Sequence, residues 1–312
     1  MFYEYAVEPR AIGADWATFR YWIEKFGFDQ GRLISQFPRH WFRDVHEAAQ
    51  NLKPMEKARI TEALQQAKKT KTIRCNRPYN PASGDWLQNA LTEHERQAFH
   101  AIVAKNNPTG SGVVLLVDDA DENQPLLAVA TDSTVQRDAP SLSAAMKDML
   151  RFGSRILFVD PFFSPFNGHY RSTLRACLNI VGQTNNQAQC EIHYRRNNRG
   201  AQGEPPAPEA IRHGASNVFP GVIPAGLTVT LFCWQERVGG ADFHARYLLT
   251  DKGGIGIDAG FSAEGAHQTT DMHLMSYSLS QEKLAHFARA SSTYQLVEPV
   301  IRVAANCQVE VL

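Results

Sequence analysis

The chain has 312 residues, 43% of them hydrophobic, and its 32 Lys and Arg residues balance its 32 Asp and Glu residues. This length accommodates two domains, and the hydrophobic content excludes general disorder. The zero net charge argues against a nonspecific nucleic-acid coat, which would be basic. No apolar run reaches the roughly 18 residues of a membrane span, and the first residues lack the features of a secretory signal.

The first third of the chain shows helical patterns. Aromatic residues at helical spacing predict a helix over residues 16–26. A proline start and charge alternation predict a second helix over 54–68, and Asp85 is a plausible N-cap for a third over 86–102. We therefore predict a mostly helical N-terminal domain over residues 1–110.

The first of these helices has an unusually wide aromatic face. Its members are Trp16, Phe19, Tyr21, Trp22 and Phe26. Such a face is too large to be entirely solvated, so we expect it either to pack on the second domain or to dock a protein partner.

After an Asn- and Gly-rich linker at 106–112 the pattern changes to short apolar runs that alternate with helical segments. The predicted strands are 113–117, 126–130, 156–159, 190–194, 227–232, 245–249, 254–258 and 272–279, and the predicted helices are 141–152, 169–181 and 280–290. This alternation predicts an α/β sandwich over residues 111–312.

The cysteines are five in number and widely scattered: Cys75, Cys177, Cys190, Cys233 and Cys307. No C-x-x-C pair is present, so a zinc ribbon is not expected. We predict reduced thiols in a cytoplasmic protein.

The most informative stretch contains His244, Arg246 and Asp251. On a strand, His244 and Arg246 would point to the same face, because side chains alternate. An imidazole can act as nucleophile or proton carrier, and a guanidinium can bind phosphate oxygens bidentately. The pair therefore predicts an anion site, with Asp251 in the following turn.

This spacing resembles that of the phospholipase D superfamily, in which His-x-Lys-x4-Asp lies on a strand and a Gly-Ser-x-Asn segment follows. Here Arg246 replaces the lysine, and residues 258–263 stand in place of the second segment, with Ser262 displaced. The order of the elements over about residues 111–300 is also similar. The resemblance implies a phospholipase D-like sandwich as the fold of this region.

The resemblance also implies a chemistry that needs no metal or cofactor. His244 would attack phosphorus, Arg246 would hold the phosphate and Asp251 would support the site. Such enzymes combine two motifs in one active site, so this single-motif chain would act as a homodimer that joins two His244 residues. The implied activity is that of a phosphodiesterase, most simply a nuclease, and proteins with one such motif resemble components of bacterial defence systems.

A dense basic patch offers further phosphate contacts. Arg195, Arg196 and Arg199 lie on one predicted loop, and they could grip a nucleic-acid backbone.

Two alternatives remain open. Some phospholipase D-like domains are binding modules with a degenerate motif, and this chain could recruit a protein, a nucleic acid or a lipid headgroup. A metal-dependent nuclease is the other alternative, because several acidic and histidine side chains share strand faces or strand ends. The candidate ligands are Asp160, Glu191, His193, Asp271 and His273.

Overall fold

The computed structural model describes residues 1–119, 124–196 and 206–312, and the chain forms two compact units, Met1–Thr131 and Asp132–Leu312. Both units combine helices with a sheet, so the predicted α/β class is confirmed. The boundary between the units lies after Thr131 rather than at the predicted residue 110, because the fifth strand of the first sheet and the turn that follows it belong to the first unit. Among the described residues, no helix combines the length and the apolar character that a membrane crossing needs.

The first unit contains a five-stranded parallel sheet in the order β3-β2-β1-β4-β5. Its strands are β1 (Tyr3–Val7), β2 (Arg32–Ser35), β3 (Thr72–Ile73), β4 (Ala101–Ala104) and β5 (Val114–Leu116). Its helices are α1 (Pro9–Gly13), α2 (Trp16–Glu24), α3 (Trp41–Ala48), α4 (Pro54–Thr70) and α5 (Trp86–Arg96).

This sheet corrects the prediction of a mostly helical N-terminal domain. Helices are present at the three predicted places, but the one predicted over 86–102 ends at Arg96 and residues 101–104 form β4. The helices accompany a parallel sheet whose strands are only two to five residues long. Strands this short leave almost no period-two signal, whereas α4 shows several turns of helical periodicity. Strand β4 shows no alternation of polar and apolar residues, because all four of its residues are buried, as expected for a parallel sheet covered on both faces.

The aromatic face of α2 packs inside the first unit. Phe19 and Trp22 are completely buried in its core, and Trp16 packs against the same cluster. The Trp22 indole Nε1 donates a hydrogen bond to the Val117 carbonyl at 3.1 Å. The core of the first unit therefore accounts for the burial of Phe19, Trp22 and Phe26, whereas Trp16 and Tyr21 are only partly buried.

The second unit contains a nine-stranded mixed sheet in the order β14-β13-β9-β8-β7-β10-β11-β12-β6. Its strands are β6 (Asp132–Arg137), β7 (Arg155–Val159), β8 (Gln189–Arg195), β9 (Thr228–Glu236), β10 (Tyr247–Thr250), β11 (Gly254–Ile257), β12 (Gly265–Leu274), β13 (Tyr294–Ala304) and β14 (Val309–Val311). Its helices are α6 (Ala139–Phe152), α7 (Gly168–Thr184), α8 (Pro208–Val218) and α9 (Tyr277–His286).

The three central strands of this sheet are parallel, and the others pair antiparallel. The predicted strands at β7, β8 and β9 are confirmed: β7 and β8 are buried over most of their length, whereas buried and partly buried residues largely alternate in β9. The strand predicted at 126–130 is wrong, since its first residues form a short 3-10 turn, Pro125–Leu127. One core cluster of the unit packs Leu157 and Val159 against Trp234 and Phe287.

A buried charge network in the first unit provides a test of its packing. Arg77, whose side chain is 3% exposed, donates to both oxygens of Glu4 at 3.0 and 2.7 Å and to Glu93 at 3.3 Å. We expect Arg77→Leu to lower the free energy of unfolding by about 3–5 kcal/mol, because it leaves these carboxylates without their buried partner. Urea unfolding followed by tryptophan fluorescence measures the change.

The matched control is Arg96→Leu. Arg96 also pairs with Glu93, at 2.7 Å, but its side chain is 57% exposed. Because water screens the exposed guanidinium of Arg96, this change should lower the free energy of unfolding by less than Arg77→Leu does. Equal losses in the two variants would contradict the assigned role of Arg77.

Candidate active site

The carboxyl ends of three parallel strands meet the start of β10 at one edge of the second sheet. Strands β7, β8 and β9 run parallel, and β10 pairs antiparallel with β7 so that Tyr247 lies opposite Val159. Ligands of α/β sheets bind outside the carboxyl ends of strands, so this edge is the candidate site. We call its side chains the carboxyl-edge cluster: Asp160, Phe162, Arg195, Glu236, His244 and Arg246.

Asp160 is the buried member of the cluster and follows the last residue of β7. Only 1% of it is exposed. Its carboxylate accepts the backbone N–H of Phe162 at 2.9 Å and that of Phe261 at 3.0 Å. Burial raises the pKa of Asp160, while these two N–H groups and the charge of Arg246 oppose that rise. One carboxylate therefore joins the loop after β7 to the segment after β11.

Arg246 lies between Asp160 and the exposed surface. One of its Nη atoms donates to the Asp258 carbonyl at 2.7 Å, and its guanidinium carbon lies 5.0 Å from the centroid of the Phe162 ring. A guanidinium has five N–H donors. The contacts found among the described residues therefore leave donors with which Arg246 could bind a phosphate oxygen.

Arg195 approaches the same aromatic ring from the end of β8. Its guanidinium carbon lies 5.4 Å from the Phe162 centroid, and its Nη1 donates to Glu236 at 3.1 Å. Glu236 also accepts the N–H of Phe243 at 2.7 Å. Although burial opposes it, these bonds and the charges of Arg195 and His244 hold the pKa of Glu236 below its usual range. Two guanidiniums thus lie within 5.4 Å of the centroid of one ring at this end of the sheet.

His244 is exposed and lies just outside the sheet. The predicted strand starts at residue 245, whereas β10 starts at Tyr247, so His244 and Arg246 belong to the segment that enters the strand. Glu236, which binds Arg195, also accepts the N–H of Phe243, the residue before His244, so the backbone of His244 lies close to that ion pair. The imidazole therefore stands at the edge of the sheet, accessible to a substrate or a second chain.

Asp251, the third member of the sequence motif, lies at the opposite end of β10. Its carboxylate accepts the N–H of Ser154 at 2.6 Å and that of Arg155 at 3.3 Å, at the start of β7. Against the effect of burial, the Ser154 N–H and Lys252 lower the pKa of Asp251. The structure brings His244 and Arg246 together and separates Asp251 from them by the length of the strand.

The remaining predicted phosphate ligands have different surroundings. Ser262 is buried, and its hydroxyl donates to Glu264 at 2.5 Å. Arg196 is exposed, and its backbone N–H donates to the Trp234 carbonyl at 2.7 Å. Arg199 lies outside the described residues. Of the described residues Ser262 and Arg196, only Arg196 is exposed to solvent.

The candidate metal ligands do not come together among the described residues. Within residues 1–119, 124–196 and 206–312, no three acidic, histidine or cysteine side chains form a group that could hold a metal ion. Glu191 accepts both nitrogen donors of Arg155 at 2.8 Å and faces Nε2 of buried His193 at 3.0 Å. Asp271 instead accepts the Thr134 hydroxyl at 2.6 Å.

Three residues that contribute to this site were not predicted from the sequence: Phe162, Glu236 and Gly260. Phe162 stands in an Asp-Pro-Phe-Phe sequence directly after a buried strand, and an aromatic residue at a strand end was an available signal. Glu236 had none, because its contact with Arg195 depends on the β8–β9 pairing.

The close packing around Gly260 generates a prediction. Gly260 has a φ of +75°, and a Cβ there would overlap the Asp160 carboxylate and lie 2.8 Å from Arg246 Cδ. We expect Gly260→Ala to cost about 1–2 kcal/mol for the backbone conformation, and a further ~1–3 kcal/mol because the carboxylate must leave its N–H partners. Denaturant unfolding measures both contributions together.

Gly221→Ala separates the two contributions. Gly221 has a φ of +67°, but nothing lies within 4 Å of the position of its Cβ. This variant should lose only the conformational part. The tight-packing argument fails if both alanine variants are destabilised equally.

A second prediction concerns the pH dependence of stability. The Trp234 indole donates to His193 Nδ1 at 2.9 Å, so neutral His193 donates from Nε2 to Glu191. Burial lowers the pKa of His193 below 6.5. As pH falls through 6.5 the unfolded chain takes up this proton and the folded chain does not, so folded-state stability decreases.

His193→Gln should remove this loss, because an amide can keep both hydrogen bonds without titrating. The gap in unfolding free energy between wild type and variant should therefore shrink from pH 8 towards pH 5 (roughly the window in which histidine titrates). Glu191, held by Arg155 and His193 at a pKa of about 2 against the opposing effect of burial, gives up its stabilisation only below pH 4.5 in both proteins. A gap that is constant with pH would refute the assignment.

Comparison with known proteins leaves the chain without an assigned family. No family model matches it, and no curated protein matches it. Among solved structures, TrmBL2, an archaeal chromatin protein described as having a novel mode of DNA binding, aligns at 12% identity with a TM-score of 0.28. The alignment covers 51% of each chain, so this chain spans about half of that protein. Similarity at this level supports no functional inference.

Proposed function

We propose that the chain is a metal-independent phosphodiesterase, most simply a nuclease, with a phospholipase D-like second unit. His244 is the nucleophile, and Arg246 and Arg195 bind the non-bridging phosphate oxygens. A second copy of the chain completes the site by bringing its own His244 to the other side of the phosphate.

The reaction needs two displacements at phosphorus. In the first, an imidazole nitrogen of His244 forms a P–N bond while the P–O bond to the leaving alcohol breaks. The leaving oxygen takes a proton from His244 of the second copy. In the second step, water attacks phosphorus, the P–N bond breaks, and the second His244 accepts the proton of the water.

The observation that supports this proposal is the position of an exposed histidine beside two guanidiniums at the carboxyl edge. His244 is open to solvent, and both Arg195 and Arg246 lie within 5.4 Å of the Phe162 ring. Guanidiniums placed in this way stabilise the charge that develops on the equatorial oxygens of a phosphoryl group.

The test is a cleavage assay on single- and double-stranded DNA and RNA in the presence of EDTA. Wild type should be active, and His244→Ala should lose about 10³-fold or more of the rate, because the nucleophile is missing. His273→Ala is the control, because His273 is an exposed histidine on β12 that was a candidate ligand for the metal-dependent alternative. Loss of activity with EDTA or in His273→Ala, but not in His244→Ala, would overturn the proposal.

Mixing wild type with His244→Ala tests the shared site. If both His244 residues of a dimer are required, an equal mixture that has exchanged subunits should retain about a quarter of the wild-type activity. A site contained within one chain would retain about half.

A second candidate, a phospholipase D-like binding module without catalysis, is favoured by one observation. The Ser262 hydroxyl is already held by Glu264, so a group expected to contact phosphate is engaged within the protein. Under this candidate, wild type shows no turnover on any phosphodiester, and His244→Ala changes at most the affinity for an anion.

A further inference from the structure

The loop between β7 and α7 exposes two aromatic rings beside the proposed phosphate site. The chain has 17 phenylalanines, all in the described ranges. Only Phe162 and Phe166 are exposed, at 40% and 45% of their surfaces. Exposed aromatic rings next to charged groups mark surfaces that bind something.

Both rings are held by the protein. The Phe162 N–H is bound by buried Asp160, and the guanidiniums of Arg246 and Arg195 lie over its ring. The Phe166 ring rests on α8 at Gly214, where a Cβ would lie only 2.7 Å from the ring. These contacts place two exposed rings in defined positions before any ligand binds.

The loop that bears them is itself anchored at two further points. Arg171 donates to the Pro165 carbonyl at 2.7 Å, and the Asn167 side chain accepts the N–H of His169 at the start of α7. Phe162 and Phe166 are therefore four residues apart on a segment whose ends and middle are hydrogen-bonded to helix and strand.

We infer that Phe162 and Phe166 form a stacking subsite for the bases of a single-stranded nucleic acid. This inference rests on the proposed function, because it takes Arg195 and Arg246 as the phosphate ligands. A base has an accessible π-face only when it is unpaired and unstacked, and aromatic side chains beside a basic groove are how proteins hold such strands.

The alternative occupant, a lipid surface, fits less well. A ring that inserts into a lipid surface must enter an apolar phase, whereas the exposed Phe162 ring has two guanidiniums within 5.4 Å of its centroid. Stacking on flat faces distinguishes a nucleic acid from a phospholipid that has the same phosphodiester.

The test measures binding rather than cleavage, in a His244→Ala background with EDTA, so that its outcome does not depend on turnover. The probes are fluorescent single-stranded DNA and RNA of roughly twelve nucleotides, within the usual site sizes. The same lengths are used as duplexes and as abasic strands, which keep the phosphates without the bases. Anionic phospholipid vesicles form the last arm.

Phe162→Ala and Phe166→Ala should each weaken binding of the normal single strand by roughly five- to a hundred-fold, with no effect on the abasic strand. Phe162→Tyr should retain the affinity. Phe152→Ala is the matched control: its ring also has an arginine 5.1 Å away, but it ends α6, at the amino end of β7. This control should bind like the parent protein, and melting temperatures check that all variants fold.

Three results would overturn the inference: duplex bound as tightly as single strand, abasic strand weakened as much as the normal strand, or phenylalanine-dependent binding of vesicles instead of oligonucleotides. If wild type cleaves nucleic acid with EDTA while the alanine variants bind normally, the stacking subsite is wrong and the phosphodiesterase proposal stands. If wild type has no activity but the alanine variants lose binding of the single strand, the phosphodiesterase proposal is wrong and the stacking subsite stands.

Discussion

The arrangement of the carboxyl edge depends on the burial of one carboxylate. Asp160 is taken out of water at the end of β7, and a buried carboxylate must satisfy its oxygens with donors from the protein. The donors are the backbone N–H groups of Phe162 and Phe261, which belong to segments about a hundred residues apart in the chain. The constraint fixes both segments, and the missing side chain of Gly260 leaves room for the Asp160 carboxylate and the Arg246 stem to pack at the same place.

From this constraint follows a division between buried structure and exposed chemistry. Asp160 is covered, whereas Phe162, two residues later, and His244 are exposed. The charges on the surface are partly balanced: Glu236 binds Arg195, while Arg246 binds a carbonyl rather than a carboxylate. Of the two guanidiniums, Arg246 therefore has the greater capacity to accept an anion, which is why we assign it the role of phosphate clamp.

The central strands could be predicted from the sequence. His244 and Arg246 are two residues apart in the chain, so their location in the same segment was also predictable. Strand β7 is detectable because burial on both faces gives an apolar run, and β8 and β9 because they are rich in β-branched and aromatic residues. The sheet of the first unit was missed because its strands are short, as at Thr72–Ile73, and because parallel pairing between distant segments leaves no local pattern. For the same reason the contacts of Glu236 and Phe162 could not be predicted, since they are set by strand register and loop anchoring.

The position of Asp251 gives a physical meaning to the spacing His244-x-Arg246-x4-Asp251. Strand β10 lies antiparallel to β7, so the residues before it meet the carboxyl end of β7 and those after it meet the amino end. At one end Asp160 accepts two backbone N–H groups, and at the other end Asp251 accepts those of Ser154 and Arg155. A four-residue strand requires this separation between the reactive pair and the carboxylate. The spacing therefore corresponds to one strand: His244 and Arg246 precede it, and the carboxylate of Asp251 ties its other end to the start of β7.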